Sequence, residues 1–307
     1  MQENKGLTET SAKNKPKTAQ PPGPRVLDAA ENSRSPSSGP AMEKNRDMKG
    51  TDGNTPTAVD ADRFDRQKRV GTWDQDAIRE QNALVIGAGA LGNEVVKLLL
   101  QNGIGKITLL DFYTVVPANL NRCVFFSQKD ADAHRFKADV IREKAAALFP
   151  DTAISADTRA VEKLPETAFK THTAVFGCLD NLEARLFANA HAYGHAPLFD
   201  GGTNGFFGKI QVVCAPSACL ECGMSKRDYG ILAKRYSCVG EVLDYLDPKT
   251  PAIATTTSAI AAMQVNEWLC HVFGQKTRAG QYVHYDGLRQ KIGTFDIPAR
   301  KSCPVHG

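Results

Sequence analysis

The chain has 307 residues, 42% of them apolar and 23% charged, the composition of an ordinary globular protein rather than of a fibrous or fully disordered one. Its net charge of +4 comes without a basic block of the kind that grips nucleic acid, and its first residues lack the apolar run of a secretory signal. Eight cysteines in such a chain point to a reducing compartment, the cytoplasm, and not to a disulfide framework.

The composition is uneven. Residues 1–60 hold 13 apolar residues, 7 of the 16 prolines and no aromatic residue. Such a segment buries too little apolar surface to offset the entropy of ordering it, so residues 1–62 are expected to form a disordered tail. The rest, 63–307, is long enough for a sizeable core.

Ala83–Ile86 reads as a short buried strand, Gly87–Gly92 as a tight turn, Glu94–Gln101 as a helix with Val95, Leu98 and Leu99 on one face, and Lys106–Leu110 as the next strand. This βαβ unit predicts an α/β fold with a Rossmann-like, doubly wound, mostly parallel sheet. Residues 134–149 read as a second amphipathic helix stopped by Pro150, and Ile154–Ala156 as a strand. Thr173–Cys178 is a buried strand, Leu182–Tyr193 a helix, and Ala196–Asp200 and Lys209–Ala215 are strands. Cys219–Thr250 is irregular. The apolar stretch Ile253–Phe273 contains Gln264, Asn266 and Glu267, which makes it a buried helix and not a membrane span. A final pair of strands flanks Asp286–Gly287.

Three groups of residues carry chemistry. Gly87-x-Gly89-x-x-Gly92 follows a strand and opens a helix, where backbone and helix N-terminus can approach a phosphate. Asp111 ends the second strand, the place of a carboxylate that binds ribose hydroxyls. This arrangement does not by itself separate NAD from ATP, and a purely structural turn has the same pattern. The following segment places Asn119, Asn121, Arg122 and Lys137 in a polar stretch, and two cations near a phosphate turn suit a triphosphate better than a nicotinamide. Cys219-x-x-Cys222 is a metal knuckle by spacing, and Cys303-x-x-His306 supplies the other half of a tetrahedral, structural zinc site. A redox pair at Cys219 and Cys222 is the alternative. Cys123, Cys178, Cys214 and Cys270 lie in apolar or helical contexts and are expected in the core.

Six stretches occur in order: RFDRQKRV (63–70), GAGALG (87–92), Asp111, NLNR (119–122), RFKAD (135–139) and CLDN (178–181). Together they resemble the ThiF/MoeB superfamily, which includes the activating enzymes of ubiquitin and ubiquitin-like proteins, with the homodimeric single-chain activators the most similar in kind. The resemblance implies that 63–307 is an adenylation domain with a zinc site and a catalytic-cysteine loop. It implies ATP and Mg²⁺ as cofactors and a small β-grasp protein ending in glycine as substrate. In that reading Gly87, Gly89, Gly92, Asp111, Asn119, Arg122, Lys137, Asp180 and Asn181 bind ATP. Asp111 holds the ribose, Arg122 and Lys137 stabilise phosphate charge, and Asp180 holds the Mg²⁺. Arg66 matches an arginine that reaches the partner's site, which implies a homodimer. Cys238, with Lys226, Arg227, Lys234 and Arg235 nearby, matches the thiol that takes the activated glycine as a thioester, with a carrier (conjugating) enzyme as a further partner. His306 departs from the family's usual second pair of cysteines. Other readings stay open: adenylation of a sulfur carrier without a thioester, a nicotinamide-dependent oxidoreductase, or a non-catalytic half of a heterodimer.

Overall fold

A computed structural model describes residues 62–225, 229 and 251–307. The expected tail before Asp62, and Cys238 with the basic residues around it, lie outside the described residues.

One eight-stranded sheet organises the chain, in the order β3-β2-β1-β4-β5-β6-β7-β8. β1 (Asn82–Ile86), β2 (Lys106–Leu110), β3 (Ala153–Asp157), β4 (Ala174–Gly177) and β5 (Leu198–Asn204) run parallel. β6 (Phe207–Val213), β7 (Gln281–Asp286) and β8 (Lys291–Asp296) continue it antiparallel. The expected Rossmann-like sheet is present. From β1 the chain crosses to β2 on one side and later returns to β4 on the other, so a switch point opens between β1 and β4, where ligands of such sheets bind.

The strands alternate. Ala83 and Val85 of β1 join one core with Ile107, Leu109, Phe176 and Phe199, while Leu84 and Ile86 join another with Leu110, Val175 and Leu198. The first core lies under α3 (Ala90–Asn102), α5 (Lys137–Leu148) and α8 (Ala254–Val272). The second lies under α7 (Leu182–Ala192) and the knuckle cysteines. α8 carries the buried Trp268, Gln264 and Ile260 and is the buried helix expected in the stretch Ile253–Phe273. Among the described residues no helix is long and apolar enough to cross a membrane.

Shorter elements escape the periodicity. α1 (Asp65–Lys68), α2 (Gln75–Arg79), α4 (Gln128–Asp132) and α6 (Thr167–Lys170) are one turn or little more. The helix expected over 134–149 begins only at Lys137, because His134 takes a left-handed φ of 47° and closes α4 first. β5 runs to Asn204, past the expected end at Asp200. Gly201 and Gly202 continue the ladder, opposite Ile210 and Lys209.

A polar cluster fixes the connection into α5. Asp130 is buried and receives Arg135 at 3.1 Å, the Ser127 N–H at 2.9 Å and the Lys144 ammonium. Burial opposes its charge, but the hydrogen bonds from Lys144 and Ser127 overcome it and hold the carboxyl at about 2. A depressed carboxyl stabilises the fold fully above its unfolded pKa and loses that contribution as pH falls through its folded pKa. Replacing Asp130→Asn should therefore cost about 1–2 kcal/mol at pH 7 after allowance for solvent screening. In urea titrations the gap from wild type should close between about pH 4 and pH 2.

Candidate active site and metal centre

The glycine turn leaves β1 at the switch point. Gly87 has φ +102°, and a Cβ there would lie 2.5 Å from the Cys178 carbonyl oxygen; one on Gly92 would lie 1.8 Å from the Gly87 oxygen. Both contacts exclude any side chain and pull α3 down onto the turn. Gly89, the N-cap of α3, has nothing within 4 Å of its Cβ direction. That open cradle at a helix N-terminus fits a phosphate. Asn93 braces it from below: its buried amide donates to the Ala88 and Gly89 carbonyls at 3.0 and 3.1 Å and accepts from the Phe125 N–H at 3.1 Å.

Asp111, at the end of β2, is buried and accepts the Ala88 N–H and the Tyr113 N–H, each at 2.7 Å. Burial raises its pKa, while Lys137 opposes that shift and Asp180 adds to it, so the charges of both reach this carboxyl. Each Asp111 oxygen still has a lone pair for a ribose hydroxyl. Lys137 opens α5; its N–H donates to the Tyr113 carbonyl at 2.9 Å and its ammonium lies 5.1 Å from the Tyr113 ring centre. Asp180 follows β4, is exposed, and makes no hydrogen bond or ion pair among the described residues. An uncommitted carboxylate beside a phosphate cradle fits Mg²⁺, which favours one or two carboxylates plus phosphate oxygens.

Other expected site residues have local duties. The Asn119 side chain accepts the Val116 N–H at 3.1 Å, and the Asn181 side chain caps α7 by accepting the Ala184 N–H at 2.8 Å. The Arg122 guanidinium bonds the Asn121 side chain at 2.8 Å and the Ala118 carbonyl, and the residue is half-buried. Arg66 is not brought to this site. α1 is tied to the far end of α3, where Gln67 reaches the Asn102 carbonyl at 3.3 Å and the buried Phe64 ring packs on Gly103. The 13 residues of α3 put about 20 Å between that end and Gly89.

Sequence reasoning missed a charged triad at the neighbouring strands. Asp200 of β5 is 1% exposed and receives Arg185 of α7 at 2.6 Å and Lys209 of β6 at 3.8 Å. Arg185 also donates to the Leu179 carbonyl, one residue before Asp180. Burial holds the Lys209 pKa below the usual lysine range, with Asp200 pulling it back. An arginine inside the helix and an aspartate ending an apolar strand were the signals available.

The fold brings together the four residues expected at the zinc site. The ligand atoms of Cys219, Cys222, Cys303 and His306 all lie within 4.8 Å of one another. Sulfur–sulfur separations are 3.9 and 3.5 Å, and the Cys222 sulfur lies 3.2 Å from His306 Nε2. Tetrahedral zinc with bonds of about 2.3 Å needs edges of about 3.8 Å, so the cluster fits. The Arg300 N–H points at the Cys222 sulfur at 3.4 Å. Burial resists the thiolate there, yet this bond, the Cys219 N–H and His306 lower its pKa, while burial raises that of Cys219. Tyr193 stacks on the His306 ring at 4.5 Å, and Asn189 accepts the Leu220 N–H at 3.0 Å, so the C-terminal end of α7 supports the centre.

Of the other cysteines, Cys123 and Cys178 are in the core; burial pushes the Cys123 thiol up to about 11 and the Cys178 thiol beyond the usual thiol range. Cys214 and Cys270 are only half-buried, a correction to the expectation: Cys214 directly follows β6, and Cys270 lies on the partly covered end of α8.

The ThiF family model matches residues 64–305. The chain belongs to the ThiF family. It is 28% identical over 252 residues to the molybdopterin-synthase adenylyltransferase of Salmonella typhimurium, covering 80% of this chain and 96% of that enzyme. The sulfur carrier protein ThiS adenylyltransferase of Escherichia coli is 25% identical across 76% of this chain and 88% of its own length. A ubiquitin-activating enzyme E1-like protein of Saccharomyces cerevisiae is 29% identical, but over half of this chain and 24% of that protein. Among solved structures, E. coli MccB with ATP shares the fold, with a TM-score of 0.67 at 18% identity over 82% of this chain and 75% of MccB.

Purified protein should carry one zinc per chain by elemental analysis. Cys222→Ser should lose it and lower the melting temperature by at least about 5 °C.

Proposed function

We propose that this ThiF-family chain uses ATP to adenylate the C-terminal glycine of a small β-grasp protein of the ubiquitin-like kind. The convergence of the open Gly89 cradle, the ribose-type carboxylate Asp111, Lys137 and the uncommitted Asp180 at one switch point carries the reading. The glycine carboxylate oxygen bonds to the α-phosphorus, the α–β phosphoanhydride bond breaks, and the products are an acyl-adenylate and pyrophosphate. Negative charge builds on the phosphate oxygens during this displacement, so positioned cations supply most of the rate. Lys137, and Arg122 after turning from Asn121, supply them from the chain. Mg²⁺ at Asp180 would add charge neutralisation on the phosphates. A nicotinamide enzyme would leave these cations without a task.

Two outcomes can follow adenylation. In the first, the Cys238 thiolate attacks the acyl carbon and displaces AMP, leaving a thioester for a carrier enzyme. In the second, the adenylate is handed to sulfur transfer. The second has its own support, because the sulfur-carrier relatives align along nearly their whole length whereas the E1-like relative aligns along a quarter.

ATP–pyrophosphate exchange against a panel of glycine-ended β-grasp proteins should show a cognate pair, and Lys137→Met should cut kcat/KM about 100-fold. No exchange with any of them sinks the reading. A reductant-sensitive adduct that disappears in Cys238→Ala selects the thioester outcome.

Arg66 sits at the wrong end of α3 for its own site, which supports action in trans within a homodimer. Mixing inactive Arg66→Ala with inactive Lys137→Met protein should restore about a quarter of wild-type exchange, through the heterodimers that keep one complete site. Absence of recovery after subunit exchange would place Arg66 outside the partner's site.

A further inference from the structure

The Arg185–Asp200–Lys209 triad has no part in the nucleotide chemistry described so far, and its charges do not cancel. Two cations meet one carboxylate, and Arg185 already satisfies that carboxylate at 2.6 Å against 3.8 Å for Lys209. Asp200 and Arg185 are 1% and 10% exposed, whereas the Lys209 side chain is 34% exposed. Lys209 makes no other ion pair among the described residues and extends past the Tyr282 ring, 5.8 Å from its centre. Burying an ion pair rarely adds net stability, so a net positive cluster retained in a half-buried place is more informative than a neutral one. The surplus charge is that of Lys209, the member open to solvent.

Its place in the sheet says what it meets. Along the edge of the sheet the loops follow in the order Asp111 after β2, the glycine turn after β1, Asp180 after β4, and then β5 and β6. β4 stops at Gly177, opposite Asp200, while β5 runs on through Gly201 and Gly202, so Gly202 and its partner Lys209 stand roughly 7 Å beyond the end of β4. Arg185 links this station to the Leu179 carbonyl beside Asp180. A Cβ on Gly202 would come within 2.9 Å of Arg185 and 3.4 Å of Lys209, so bare backbone borders the two cations. The ribose and phosphate stations are taken by ATP. The next station holds a glycine-walled cation.

We propose that Lys209, steadied by Asp200 and Arg185, receives the C-terminal carboxylate of the protein substrate before it attacks the α-phosphate. This deepens the adenylation reading and rests on it. The cation offsets the repulsion between an incoming carboxylate and the triphosphate, and the glycine wall admits a terminal glycine without side-chain clash.

The probe is a fluorescein-labelled octapeptide ending in Gly-Gly, made with a free carboxylate and as the C-terminal amide, titrated into full-length protein by anisotropy. Wild type should bind the carboxylate at least about tenfold more tightly than the amide. Lys209→Met should erase that preference, Lys209→Arg should keep most of it, and ATP affinity should stay unchanged in both. Equal binding of the two peptides, no binding of either, or a preference that survives Lys209→Met overturns the proposal. A Lys209→Met protein that loses ATP affinity instead assigns the cation to phosphate and also overturns it. Exchange that succeeds with a cognate protein while the peptide preference is absent removes the Lys209 role and leaves the adenylation reading standing. The reverse result removes the adenylation reading and with it the attack on the α-phosphate, and leaves Lys209 only as a site for a terminal carboxylate.

Discussion

Two backbone hydrogen bonds to Asp111, both at 2.7 Å, set the geometry on which everything else depends. One comes from the glycine turn after β1 and the other from the loop after β2. The carboxylate therefore clamps two crossover connections to each other at the switch point. The glycine turn can accept the clamp only because Gly92 leaves room for the Gly87 oxygen and Gly87 for the Cys178 carbonyl. Three consecutive strand ends, β1, β2 and β4, are drawn into contact by interactions shorter than one side chain. The cations and the Asp180 carboxylate are placed relative to that knot.

Much of the parallel half was legible in the chain because its strands are fully buried and its helices are long enough to show a period. The strand at Ala83–Ile86 and the C-terminal end of α3 differ from expectation by one residue, while α3 starts at Ala90, four residues before the expected Glu94 and inside the glycine turn. Legibility fails where a single residue overrides a pattern. His134, in a left-handed conformation, cuts one expected helix into a short turn and a later helix. The strand expected to end at Asp200 is carried on through Gly201 and Gly202 by its pairing with β6. The site shows the same division. Residues whose role comes from the backbone at a strand end, such as Gly87, Gly92 and Asp111, announce themselves by spacing. Asp200, Arg185 and Lys209 come from three elements and meet only after folding, so no spacing records them.

The two asparagines expected at the nucleotide illustrate a further limit. The side-chain oxygens of Asn119 and Asn181 are engaged in closing a turn and capping α7. A motif residue can hold the shape of a loop while its neighbour does the binding, and sequence alone does not distinguish the two duties.

Helix α7 joins the two centres. At its C-terminal end Asn189 and Tyr193 brace the metal cluster. Near its N-terminal end Arg185 grips the Leu179 carbonyl beside Asp180. Its 11 residues make a rod of about 16 Å, stiff on the scale of the contacts at either end. The clasp that gathers residues from two distant parts of the chain thereby acts as the rear bearing of a shaft whose front end carries the loop of Asp180. A metal held by the four Cys/His ligands would perform no chemistry there, yet through α7 it would steady the loop that carries Asp180.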